Sequence, residues 1–290
     1  MSPEESDLYG GLAGGSLPIE QLELGGGITI SRTYAHLMAP FLMAFHPPVN
    51  GLHPAPWRPA SGGLGWDILG QIHVPKDFKI EGWWDRINIV WWVIALLRFR
   101  ASPFLTVPVV ANGPFADGVS VEGIQYWPVE IENRMVWVEK EHSREIREAD
   151  LLWIKEHWLD ATNLVKAKTE FYLLFNACAQ CGFTRNPALA MLSLWGALEG
   201  IFSPAKVELR FRISSNIAAF LEHSGERRLA LQKEVAKLYD ARSSAAHGSS
   251  EDQAEALVET YALSKRLIIK MIETRHVPSR EDLEKALFCG

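Results

Sequence analysis

Cysteine is scarce in this chain: Cys178, Cys181 and Cys289 are the only three in 290 residues. So small and odd a number excludes a disulfide framework and fits a reducing compartment. Long hydrophobic runs are missing as well. The longest, Ile87 to Leu97, is interrupted by Asn88 and is about half the ~20 residues that a bilayer span needs. It reads as a buried helix. The first residues, Pro3-Glu4-Glu5-Ser6-Asp7, are acidic and carry neither a basic nor an apolar stretch, which argues against a secretory signal. The expectation is a soluble, cytoplasmic protein with no membrane partner.

Basic excess is also lacking. Residues 147–290 hold 19 positive and 19 negative side chains, so the net charge of −6 lies wholly before them. Neither half has the surplus of lysine and arginine that gripping many phosphates requires. Contact with nucleic acid must then be local or built across subunits. The glycine clusters match no dinucleotide fingerprint, and no Gly-Lys-Ser/Thr follows them to make a P-loop. They read as turns. No internal repeat or low-complexity tract interrupts the chain.

What is present is a change of texture near residue 145. Before it, glycine and proline clusters (Gly10 to Gly15, Gly25-Gly26-Gly27, Pro47-Pro48, Pro54 to Pro59) separate short β-like runs such as Ile28-Thr29-Ile30 and Val136-Trp137-Val138. One helix is expected from Asp85, a plausible N-cap, to about Arg100. Residues 1–145 therefore read as a mixed α+β domain. After it, prolines are rare and apolar residues recur every three or four positions. The pattern predicts helices over about 147–181, 187–202, 207–222, 226 into the 240s, 251–273 and 279–287. Residues 146–290 read as an all-α bundle with short loops between antiparallel neighbours.

The segment richest in chemistry is Tyr239-Asp240-Ala241-Arg242-Ser243-Ser244-Ala245-Ala246-His247-Gly248. Val235, Leu238 and Tyr239 define an apolar helix face, and Arg242 lies seven, four and three residues beyond them on that face. An arginine cannot shed its proton, so against a core it needs an anion or several acceptors. Glu199 and Asp240 are candidate partners for an internal ion pair. His247 lies five residues past Arg242, which in a regular helix is a turn of about 140°. The two side chains share a site only if the helix distorts or a second copy comes alongside. Gly248 is a natural helix stop, and the small residues before it permit close approach of another helix.

Residues 238–248 resemble the signature of HEPN domains, above all the Apea-like HEPN group of prokaryotic defence proteins: an arginine, four to six residues and a histidine at a helix end in a compact all-α bundle. Leu194-Trp195-Gly196-Ala197-Leu198-Glu199-Gly200-Ile201-Phe202 resembles the segment preceding it in that group. The resemblance covers about residues 147–275. It implies an HEPN-like bundle and a metal-independent endoribonuclease without cofactors, acting on RNA (tRNA included) as a homodimer whose two motifs face each other. His247 would be the acid/base and Arg242 the phosphate stabiliser, with Ser243, Tyr239, Asp240 and Glu199 in support. The setting it implies is antiphage defence or toxin-like growth arrest, with an antitoxin or trigger protein met through the N-terminal domain. Many active members carry Asn, Asp or His directly after the arginine, where this chain has Ser243. The alternative is a non-catalytic HEPN-like module for dimerisation, partner docking or RNA binding.

Other candidates are weaker. Cys178-Ala179-Gln180-Cys181 lacks the further ligands of a structural zinc site and reads as buried packing. His46, His53 and His73 lie among turns and prolines and do not read as a metal site. Trp83-Trp84 and Trp91-Trp92 could stack bases, but in so apolar a window they read as core.

Overall fold

The computed structural model describes residues 6–39, 42–44, 49–50, 52, 58–60, 64–79, 85–118, 120–130, 145–203, 208–246 and 253–289. Their contacts divide them into two compact units. One comprises the described residues within 1–94, 105–131 and 144–151, and the other those within 95–104 and 152–290. The short stretch 95–104 thus belongs with the helices, and 145–151 with the sheet. The expected run Val136-Trp137-Val138 lies outside the described residues.

In the first unit, β1 (Leu8–Ala13), β2 (Gln21–Gly25), β3 (Ile28–Ala39), β6 (Leu64–Val74), β7 (Thr106–Ala111) and β8 (Tyr126–Pro128) make a six-stranded sheet. Its order is β2-β3-β6-β1-β7-β8, with every neighbouring pair antiparallel. A separate antiparallel pair joins β4 (Leu42–Ala44) to β5 (Arg58–Ala60). The run Ile28-Thr29-Ile30 opens β3. Helix α1 (Arg86–Arg100) begins as the sequence predicts: the Asn88 amide donates to Asp85 Oδ1 at 2.8 Å. Val90, Val93, Ile94, Leu96 and Leu97 are fully buried, so the longest apolar run is a core helix.

The glycine clusters do not all behave as turns. Gly25, Gly26 and Gly27 do: their φ angles of 105°, 62° and 81° carry the chain from β2 into β3, a conformation that costs other residues heavily. Gly10 and Gly11, by contrast, lie inside β1 between β6 and β7. A Cβ on Gly10 would come within 2.4 Å of Val90 Cγ1, and one on Gly11 within 2.6 Å of Phe115 Cζ. The expectation of a turn at Gly10-Gly11 is overturned because α1 and Phe115 press directly on the strand backbone, which leaves no room for a side chain.

The second unit is helical: α2 (Glu148–Ala167) from residue 152 onward, then α3 (Thr169–Cys181), α4 (Pro187–Phe202), α5 (Leu209–Leu221), α6 (Glu226–Ala246), α7 (Gln253–Thr274) and α8 (Arg280–Phe288). The single helix expected over 147–181 is two. Ile154, Trp158, Ala161 and Val165 form one buried stripe, whose continuation would bury Lys168 and Tyr172. Instead Phe171, Leu174, Cys178 and Cys181 are buried and Lys168 is exposed. Lys168 adopts an extended backbone (φ −136°, ψ 104°), and that one-residue break resets the phase. Neither glycine nor proline marks it, so packing decides.

Helix α4 is the centre of this unit and packs against α3, α5, α6 and α7. Pro187 opens it, and the Asn186 side chain accepts from the amides of Ala188 (2.9 Å) and Leu189 (3.4 Å), a cap of the preferred kind. At its far end the buried Asn216 Nδ2 of α5 donates to the Phe202 carbonyl at 2.8 Å, satisfying a group the helix leaves orphaned. Ala190, Met191, Leu194, Trp195, Leu198, Ile201 and Phe202 are buried along it.

Candidate functional site

Helix α6 places the arginine. Leu231, Val235, Leu238 and Tyr239 are buried, giving the stripe that the sequence spacing predicts, and α6 stays helical through Ala246. Trp195 of α4 is fully buried and meets the Tyr239 ring edge to face, with centroids 5.2 Å apart and an interplanar angle of 86°. That contact fixes the register of α4 on α6. One turn further along both helices, Glu199 meets Arg242.

The meeting centres on one oxygen. Glu199 Oε1 accepts from the Tyr239 hydroxyl at 3.0 Å and pairs with Arg242 Nη2 at 3.2 Å. The Arg242 guanidinium also stands over the Tyr239 ring, 5.5 Å from its centroid, where the ring face attracts a cation. Arg242 Nε is buried and has no hydrogen-bond partner among the described residues. The side chains of Arg242 and Glu199 are 29% and 24% exposed, so both charges keep partial contact with water. Burial pushes the Tyr239 phenol above its usual range. Its hydrogen bond to Glu199 and that carboxylate's charge push the same way, while Arg242 opposes them.

Of the two carboxylates expected to answer Arg242, the structure brings Glu199 to it. Asp240 is taken by Arg210 of α5 in a two-pronged pair, Nε to Oδ1 and Nη2 to Oδ2, each 2.7 Å. The exposed Ser243 turns its hydroxyl back onto its own helix, 3.5 Å from the Tyr239 carbonyl, the usual habit of a helical serine. His247 and Gly248 lie outside the described residues. Trp195 is the residue whose role the sequence conceals. Its spacing of four from Glu199, against three between Tyr239 and Arg242, is the signal that pairs the two helices.

Elsewhere, Cys178 and Cys181 are buried on α3 and are not joined in a disulfide. His73 Nε2 lies 2.9 Å from Asp7 Oδ2, and its ring stacks on Tyr9. His46, His53 and Trp83-Trp84 fall outside the described residues, while Trp92 is buried in α1. Among the described residues no group of three or more His, Cys, Asp and Glu could hold a metal ion, and no helix is long and apolar enough to cross a membrane. No family model matches the chain, and no curated protein or solved structure matches it.

Proposed function

We propose that the helical unit is an HEPN-type, metal-independent endoribonuclease that works as a homodimer, and that the sheet unit senses, recruits or restrains. One observation carries the reading. Arg242, near the end of α6, and Tyr239 aim a guanidinium nitrogen and a hydroxyl at a single oxygen on a partly solvated surface. Converging donors of this kind suit a phosphate. His247 follows α6 directly in sequence and supplies the acid/base that arginine cannot. In the reaction the RNA 2′-hydroxyl gives up its proton to a base as its oxygen attacks the adjacent phosphorus, the bond to the 5′ oxygen breaks, and that oxygen takes a proton in turn. The products are a 2′,3′-cyclic phosphate and a 5′-hydroxyl. A second copy would supply the geometry that five residues of one helix do not, since they turn by about 140°. Antiphage defence or toxin-like growth arrest is the setting proposed with it.

The experiment is RNA cleavage and cell toxicity for the wild type, Arg242→Ala and His247→Ala. Loss of both readouts in both variants, with the fold retained, is expected. Equal toxicity of all three would sink the proposal. A second reading, a non-catalytic docking or dimerisation module, is favoured by the Arg242–Glu199 pair itself, because an arginine engaged by an internal carboxylate is also what a structural ion pair looks like.

A further inference from the structure

We propose that the Glu199 carboxylate is an internal occupant of a phosphodiester site formed by Arg242 and Tyr239, and that it swings aside when a phosphate enters. The inference rests on the reading of Arg242 as an anion-binding residue. It assigns Tyr239 as a second phosphate donor and Glu199 as a built-in competitor.

The carboxylate fits its partners incompletely. A guanidinium and a carboxylate that suit each other pair through two parallel hydrogen bonds, as Arg210 and Asp240 do here. Arg242 and Glu199 meet through Nη2 and Oε1 at 3.2 Å, and Arg242 Nε is left buried with no acceptor among the described residues. A buried donor without an acceptor is costly. A phosphate, with its non-bridging oxygens spread in a tetrahedron, can take the Oε1 position with one oxygen and Nε–H with another. Tyr239 is held for either anion, because its ring is fixed against Trp195 rather than by Glu199 alone.

The carboxylate also has somewhere to go. Helical side chains lean toward the N-terminus, over the residues three and four positions back. For Glu199 those are Gly196 and Trp195. Apart from the neighbouring backbone of α4 itself, none of the described residues comes within 4 Å of the position a Cβ on Gly196 would occupy, and the same holds at Gly200. Exposed glycines inside a helix weaken it relative to alanine, and among the described residues no turn or close backbone approach explains these two. Their effect is a smooth, open strip on α4 beside Glu199. A glutamate already 24% exposed regains its hydration readily on moving there.

An internal competitor lowers apparent affinity by the fraction of molecules in which it has moved away. Removing its charge should restore that factor. The test titrates inorganic phosphate and a non-cleavable 2′-deoxy RNA analogue into the full chain as wild type, Glu199→Gln, Glu199→Ala, Gly196→Leu and Arg242→Met. If the closed arrangement is favoured by ~1.4 kcal/mol, both Glu199 variants bind both probes about tenfold more tightly. Gly196→Leu, which fills the space on α4, binds more weakly although it favours the helix. Arg242→Met loses the binding. Equal or weaker binding by the two Glu199 variants overturns the proposal, because the carboxylate would then be holding Arg242 in place. RNA cleavage by the wild type is a separate readout. Tighter phosphate binding by Glu199→Gln with no cleavage by the wild type sinks the ribonuclease reading alone. Cleavage by the wild type with weaker binding by Glu199→Gln sinks this inference alone.

Discussion

Replacing Arg242 by methionine removes the charge and keeps most of the aliphatic stem. Two interactions are lost, the pair with Glu199 at 3.2 Å and the cation over the Tyr239 ring at 5.5 Å. Partly exposed as it is, the pair stands between a surface pair, which contributes ~0–1 kcal/mol, and a buried one, whose rupture costs ~3–5 kcal/mol. The Tyr239 hydroxyl still donates to Glu199 at 3.0 Å, so the remaining anion is not stranded. The ring contact adds about 0.5–1 kcal/mol. Methionine also relieves the buried, unpartnered Nε, which offsets part of the loss. The net expectation is a cost of about 1–2 kcal/mol, which for a protein of this size lowers Tm by roughly 2–4 °C per kcal/mol. Urea denaturation followed by far-UV circular dichroism, which reports mainly the helices, measures it. A cost above about 4 kcal/mol would refute the reasoning. Arg242 would then be a structural staple, and the docking-module reading would replace the ribonuclease.

Two further predictions concern the frame around the site. Gly10→Val should cost at least ~2 kcal/mol by overpacking, because its Cβ alone would sit 2.4 Å from Val90 Cγ1; wild-type stability in the same urea experiment would show that α1 does not press on β1. Asp282→Ala should cost about 1 kcal/mol near neutral pH by removing the capping box of α8. The Ser279 hydroxyl, then the Ser279 amide and His276, hold the Asp282 carboxyl down at about 2 from 3.8. The stabilisation is therefore complete above the ordinary carboxylate range and lost as pH falls through about 2. Its size is tempered by a side chain 41% exposed. The gap between wild type and variant should be constant from about pH 5 to about pH 7 and close near pH 2. A gap that persists unchanged in acid would show that the carboxylate plays no part.

The helical half was largely legible because helix signals are local. The apolar period places α4, α6 and α8 to within a residue or two, and in the structure Asn186 and Ser279 cap two of those starts. The missed break at Lys168 has no local signal, since nothing in Val165-Lys166-Ala167-Lys168-Thr169 opposes a helix. It follows from which neighbours bury Phe171 and Leu174, and that is tertiary information. The sheet was harder to read for a related reason. Glycine usually marks a turn, yet in β1 it marks a backbone that another element touches. Both uses put the same residue in the sequence. Only the packing against Val90 and Phe115 tells Gly10-Gly11 apart from Gly25-Gly26-Gly27.

The site divides in the same way. That Arg242 would face the core side of α6 and seek an anion follows from Val235, Leu238 and Tyr239, because helical period and burial are tied together. Which carboxylate answers it does not follow, since Asp240 is two residues away in sequence and Glu199 is on another helix. The choice is made by register. Trp195 seats against Tyr239, both helices advance one turn, and Glu199 then stands opposite Arg242 while Arg210 takes Asp240. A substitution that disturbs the seat should thus disturb the pairing at a distance. Trp195→Leu leaves every charged group in place and removes the ring that sets the register. Large-to-small change at so buried a position costs about 3 kcal/mol or more. Beyond that loss, phosphate affinity should fall along with it, because Tyr239 and Arg242 would no longer converge on one oxygen. Undiminished phosphate binding by a folded Trp195→Leu protein would show that the register is set elsewhere and that the convergence is incidental.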